Sequence, residues 1–234
     1  LLDELVGPDP HPVFGPTFAA AVVVGGRLVA ERYGRRVVQD LRGLGDDPPF
    51  DQLDASSELL SWSMAKSLTS LAVGIAAADG RLDVADPVPE PQWQAADDPR
   101  RAITWHHLLT MRPGLRWTEA YELDAPVMPD VITMLFGEGA DDAAAFAASF
   151  PLVAEPGSDA AYTYSSGTTN IVAANLQRVL GVDAAGMERF LRDRLLDPIG
   201  MTSARLQFDA AGTFLGSSYV HAPLREWCRF GLLA

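Results

Sequence analysis

Ser61-Trp62-Ser63-Met64-Ala65-Lys66 leads into a stretch, Met64 to Asp79, that is rich in Ala and Leu and closes at Gly80. An apolar run stopped by glycine predicts a helix. Leu68, Leu71 and Ile75 lie along one side of it, and Val73 and Ala76 to Ala78 add apolar surface. The helix is therefore expected to be buried nearly all round. Ser63 and Lys66 stand at i and i+3, which on a helix places them on one face, about 5–6 Å apart at Cβ. The helix start, with its free N–H groups and dipole, suits a serine that must carry developing negative charge. A lysine one turn further into an apolar helix is desolvated, and burial disfavours its ammonium form. The neutral amine can then take the Ser63 proton, and the resulting ammonium steadies the anion. The same residues also fit a serine N-cap followed by a surface lysine.

Composition sharpens the choice. Among the 18 basic residues Lys66 is the sole lysine. Arginine evidently serves the routine surface roles, and it cannot release a proton as an amine can. The chain has 234 residues, 48% of them hydrophobic and 21% charged, which is globular composition rather than that of a disordered chain. A net charge of −13 gives no electrostatic footprint for nucleic acid or an anionic membrane. Apolar stretches such as Phe18 to Val24 are too short to span a bilayer. One cysteine, Cys228, excludes an internal disulfide framework and a cysteine-based zinc site. The acidic opening Leu1-Leu2-Asp3-Glu4 is unlike an export signal and leans towards the cytoplasm, although without an initiator Met the true start is open.

The remaining pattern is a short sheet followed by helices. Phe18 to Val24 and Arg27 to Tyr33 read as strands joined by a Gly25-Gly26 hairpin turn. Residues 40–58 read as loop. Thr104 can cap a helix through Met111, Asp141-Asp142 can open one through Ser149, and Gly167 to Leu180 and Ala185 to Leu196 read as two more. Pro223 to Leu233 looks helical. Ala204 to Phe208 and Phe214 to Val220 are the later strand candidates. A two-stranded hairpin needs more strands beside it, so the sheet is expected to be begun here and not finished. His106-His107 point in different directions on a helix and are read as structural, not as a shared metal site.

A second hydroxyl-dense segment, Ala161-Tyr162-Thr163-Tyr164-Ser165-Ser166-Gly167, precedes a helix. A tyrosine beside a lysine ammonium can relay a proton, whereas the plain alternative is a loop whose serine caps the helix. Ser63-Met-Ala-Lys66 followed by Tyr164-Ser-Ser166 resembles the serine β-lactamase/penicillin-binding-protein superfamily, in its class C β-lactamase-like branch, which includes esterases and 6-aminohexanoate-oligomer hydrolases. Ile103-Thr-Trp-His-His-Leu-Leu-Thr-Met111 with Gly114-Leu115, Pro156-Gly157, Pro198-Ile-Gly-Met201 and Arg229-Phe-Gly-Leu-Leu233 match in the same order.

The resemblance implies an α/β fold in which an antiparallel sheet flanked by helices is joined by an all-α subdomain. The α/β part is expected over about 17–80 and 200–234 and the helical part over about 81–199, with the C-terminal strands lacking from this chain. It implies that Ser63 is acylated, Lys66 is its base and Tyr164 the proton relay, with the Ser63 N–H as one oxyanion donor. Ser166 stands where many relatives carry Asn and is a candidate for substrate binding. So are Glu119 and Tyr121 of Trp117-Thr-Glu-Ala-Tyr121. The shorter hydroxyl of Ser166 makes fewer hydrogen bonds than an amide and favours an ester or small amide substrate over a β-lactam. A third motif, which supplies a second oxyanion donor, is expected beyond Leu233. Loss of one such donor costs about 10²–10³ in rate. No cofactor or metal is implied, the partner is a small-molecule ester or amide, and oligomeric state is open. The rival readings are a β-lactamase or D-alanyl-D-alanine carboxypeptidase, and a non-catalytic binding module with the same fold.

Overall fold

The computed structural model describes residues 2–6, 15–37, 50–119 and 128–233. They divide into two compact units, one formed by Leu1–Leu59, Leu196–Ala204 and His221–Ala234, the other by Leu60–Leu195 and Arg205–Val220. The division falls at residue 60, and the helix that carries Lys66 lies in the second unit.

In the first unit a single helical turn, α1 (Leu2–Leu5), precedes the hairpin of β1 (Ala19–Val24) and β2 (Arg27–Tyr33). The strands pair antiparallel, Ala19 opposite Tyr33 and Val24 opposite Arg27, with a register irregularity between Val22 and Val23. Gly25 and Gly26 have φ of 56° and 76°, the two left-handed residues that a twist-matched hairpin turn requires. Residues 40–58 are not all loop: β4 (Phe50–Gln52) pairs antiparallel with β3 (Arg35–Val37), and β5 (Glu58–Leu60) follows.

The second unit is helical. Its helices are α2 (Ala65–Ala78), α3 (Trp105–Leu109), α4 (Asp130–Phe136), α5 (Ala143–Ala148), α6 (Ser166–Leu180) and α7 (Ala184–Leu191), with the short strand β6 (Arg205–Leu206) after them. Burial all round belongs to α6, not α2. Every residue of α6 from Ser166 to Gln177 is buried, with α2, α3, α4 and α5 packed around it. Its buried amides are paired: Asn175 Nδ2 donates to Ile171 O at 2.9 Å and to Glu90 Oε2 at 3.0 Å. In α2 the buried residues Ala65, Leu68, Thr69, Ala72, Val73 and Ala76 form one stripe, while Ser67, Ser70 and Gly74 face out. Both helices stop on a left-handed glycine, Gly80 at φ 67° and Gly181 at φ 70°. The α4 helix has no counterpart in the sequence reading, since Val131-Ile-Thr-Met-Leu-Phe136 is β-branched and apolar enough to pass for a strand.

The chain returns to the first unit at His221, within β7 (Val220–Pro223), and continues as α8 (Leu224–Leu233), which packs on β1. There Arg225 ion-pairs with Glu31 and, by that hydrogen bond first of all, holds its carboxyl down at about 2. Among the described residues no helix is long and apolar enough to cross a membrane.

The cap of α3 makes the fold sensitive to pH. Thr104 Oγ1 accepts from His107 N at 3.2 Å, and His107 Nδ1 accepts from Thr104 N at 3.2 Å. The second bond requires an unprotonated Nδ1. Burial, reinforced by His106, pushes the imidazole below its ordinary 6.5. The folded state thus binds fewer protons than the unfolded chain, and this stability is present above about pH 6.5 and lost as pH falls through the folded value. Melting temperatures measured from pH 7.5 to 5 should fall more steeply for the parent than for His107→Gln, whose amide oxygen can accept the same bond at every pH. Parallel curves would contradict the assignment.

Candidate active site

Ser63 does not sit on α2 itself but on a 3₁₀ turn, Trp62–Met64, that feeds into it. Trp62 adopts φ 44°, a left-handed conformation that costs a residue with a Cβ about 1–3 kcal/mol. Buried Ser61 holds the turn in place. Its N–H donates to Val220 O at 2.8 Å, its hydroxyl donates to Ser218 O at 2.9 Å, and Val220 N donates to Ser61 Oγ at 3.2 Å. The kink leaves Ser63 exposed at the head of the helix, its N–H among the turn's first donors, which have no helical acceptor.

Lys66, half-buried one turn further on, reaches three oxygens. Nζ lies within hydrogen-bond distance of Ser63 Oγ at 3.0 Å, of Ser166 Oγ at 2.9 Å and of the Ser217 carbonyl at 3.1 Å. The Ser217 carbonyl is aimed by its neighbours. Thr69 Oγ1 donates to Gly216 O at 2.9 Å, and Ser217 N donates to Asn170 Oδ1 at 3.2 Å. A Cβ on Gly216 would stand 2.3 Å from Thr69 Oγ1, so only glycine lets this turn lie so close to α2.

Tyr164 completes the group. Its hydroxyl donates to Ser63 Oγ at 2.6 Å, and Lys66 Nζ stands 5.0 Å from the centroid of its ring. Thr163 N donates to the carbonyl of Met111, itself left-handed at φ 58°, which ties the tyrosine segment to the end of α3. Ser165 caps α6 by accepting from Thr168 N at 2.9 Å. The serines of Tyr-Ser-Ser therefore divide the work: Ser165 caps the helix and Ser166 faces Lys66.

Glu119 lies beside Ser166. Its Oε1 accepts from Ser166 Oγ at 2.7 Å, and its Oε2 accepts from Ser166 N at 2.6 Å and from Trp117 Nε1 at 2.9 Å. The segment that carries it is pinned to the first turn of α4, where Thr118 N and Oγ1 donate to Asp130 Oδ2 at 2.7 and 2.8 Å and Arg116 pairs with both Asp130 oxygens at 3.2 Å. Tyr121 lies outside the described residues.

A cavity of about 490 Å³ opens at Ser63, walled by Trp62, Ser218 and the α4 side chains Val131, Ile132, Leu135 and Phe136. None of these described wall residues is charged. Trp62 and Phe136 are 54% and 62% exposed, so two large apolar side chains face solvent beside the serine. The sequence reading names Ser63, Lys66, Tyr164 and Ser166, which the fold brings together. It misses the Ser217 carbonyl, the left-handed Trp62 and the α4 wall. The small-residue run Gly216-Ser217-Ser218 is the one signal that a backbone approaches closely there.

A serine hydroxyl between an amine and a phenol, at the mouth of a cavity, is a serine–lysine–tyrosine constellation on a β-lactamase-like fold. The chain belongs to the Beta-lactamase family, whose family model matches residues 13–227. It is 27% identical over 157 residues to Protein Rv1367c of Mycobacterium tuberculosis, covering 60% of this chain and 37% of that protein. Among solved structures it superposes at a TM-score of 0.70 on a Bacillus anthracis protein named for 6-aminohexanoate-dimer hydrolase activity, at 21% identity. That match covers 92% of this chain and 53% of the other. It superposes at 0.56 on a D-alanine carboxypeptidase AmpC of Burkholderia cenocepacia, at 17% identity over 91% of this chain and 57% of that one. At such identities the structures show a shared fold only. The chain spans just over a third of the length of the first relative and about half that of the two structures.

Gly167 admits the Trp117 indole against the start of α6. A Cβ there would stand 2.7 Å from two ring carbons of Trp117 and 2.8 Å from Ala147 Cβ. Gly167→Ala is expected to destabilise the protein by about 1–3 kcal/mol in urea unfolding, as overpacked cores do. An unchanged midpoint would contradict this.

Proposed function

We propose that the protein is a serine hydrolase that cleaves a neutral ester or small amide through an acyl-enzyme. One observation carries the reading: Ser63 Oγ stands 3.0 Å from Lys66 Nζ and 2.6 Å from Tyr164 Oη. Both are within the reach that proton transfer requires. In this mechanism Ser63 Oγ attacks the carbonyl carbon and its proton passes to Lys66 Nζ, acting as the base. The proton then travels through Tyr164 to the departing alcohol or amine. Water reverses the sequence, giving its proton to the same pair and returning Ser63 as a free hydroxyl. The Ser63 N–H is one oxyanion donor. Splitting one acyl transfer into two steps is what an activated serine provides.

The apolar cavity beside Ser63 supports a neutral, hydrocarbon-bearing substrate, since an anionic one would gain no counter-charge from those walls. A hydroxyl at Ser166, in place of an amide, supports esters and simple amides over β-lactams.

Measured on the whole protein, p-nitrophenyl butyrate should be turned over faster than nitrocefin, and Ser63→Ala should abolish both turnover and labelling by a fluorophosphonate. Lys66→Arg keeps a long basic side chain but its guanidinium cannot take up a proton, and it should lose at least about 10²-fold in kcat, the scale of a general base. Nitrocefin as the faster substrate would favour a β-lactamase. A folded whole protein that gains no Ser63 adduct would instead be a binding module.

A further inference from the structure

We infer that Glu119 is a positioning residue that fixes the direction in which Lys66 takes a proton, an inference that rests on the serine–lysine reading above. A neutral amine has two hydrogens and one lone pair, and Lys66 Nζ has three oxygen neighbours. The Ser217 carbonyl can only accept, so it claims one hydrogen. Ser166 Oγ owns a single hydrogen, and that hydrogen is directed to Glu119 Oε1 at 2.7 Å. A carboxylate accepts only, so Ser166 Oγ must turn a lone pair to Nζ and claim the second hydrogen. The amine lone pair is left for the third neighbour, Ser63 Oγ, which alone of the three has a hydrogen to give. Once that proton has arrived, the ammonium finds three acceptors already in place, and nothing has to reorganise.

Glu119 is held for this task. Ser166 N and Trp117 Nε1 fix its second oxygen, and the ties of Thr118 and Arg116 to Asp130 fix the backbone before it. An amide at position 119 would remove the polarity of the device. Its NH₂ could donate to Ser166 Oγ, which frees the serine hydrogen to occupy the lysine lone pair and turns the base away from Ser63.

The experiment measures kcat and KM for p-nitrophenyl butyrate in the whole protein, in Glu119→Gln, Glu119→Asp, Ser166→Ala and in the Glu119→Gln/Ser166→Ala double variant. Glu119→Gln should lose about tenfold or more in kcat, the scale of one misdirected hydrogen bond, with KM within about threefold. Glu119→Asp keeps an acceptor-only group and should recover part of the loss, which also serves if the glutamine variant fails to fold. Because Glu119 acts through Ser166, the double variant should be no slower than Ser166→Ala alone. An active parent whose Glu119→Gln or Glu119→Asp variant shows kcat within twofold for the first, or no better than the first for the second, overturns the inference alone. So do losses that multiply in the double variant. A parent that neither turns over the ester nor gains a Ser63 adduct overturns the hydrolase reading, and the inference with it.

Discussion

One nitrogen gathers the second unit around itself. Lys66 Nζ bonds to oxygens of residues 63, 166 and 217, which lie on a turn before α2, at the start of α6 and on a turn leading to β7. Each oxygen needs its own support. Ser61 fixes the turn before α2, Ser165 fixes the start of α6, and Thr69 with Asn170 fixes the turn at Gly216-Ser217. The strained backbone at Trp62 is stable only because Ser61 and Val220 over-determine it. Precision of this kind comes from rigid elements, and α6, the most deeply buried helix of the unit, supplies it.

The parts that were legible in the sequence are those with local causes. Gly25-Gly26 specifies a hairpin turn, Gly80 and Gly181 stop helices, and Thr104, Asp142 and Ser165 cap them, all without reference to the rest of the chain. The Ser63–Lys66 spacing is legible for the same reason. The reading fails where tertiary contacts decide. Residues 50–52 form a strand because Arg35–Val37 pairs with them, and Val131-Ile-Thr-Met-Leu-Phe136 is a helix because its apolar face lies against α5 and α6. The Ser217 contribution is a backbone carbonyl, which no side-chain motif can announce.

Glu119 and Ser166, both named by the resemblance, lie side by side in the structure. The resemblance offers Glu119 as a substrate-binding group, and its oxygens accept from Ser166 and Trp117. A serine has one hydrogen and can point it either way, while an asparagine amide presents separate donor and acceptor atoms. A carboxylate beside Ser166 removes that freedom. The apolar wall of α4 then stands on the other side of Ser63, where a hydrocarbon chain gains by leaving water. The polar cluster around Lys66 and the apolar wall beside Ser63 share one scaffold, since Asp130 at the start of α4 also anchors the segment that carries Glu119.

Lysine-specific ¹⁵N labelling gives the most direct test, because a chain with one lysine yields one Nζ resonance from this region. If that nitrogen is bonded to Ser63, Ser166 and Ser217, its chemical shift should differ from that of free lysine in water, and it should move in Ser63→Ala and in Ser166→Ala. A resonance at the free-lysine position, unmoved by either substitution, would contradict the account.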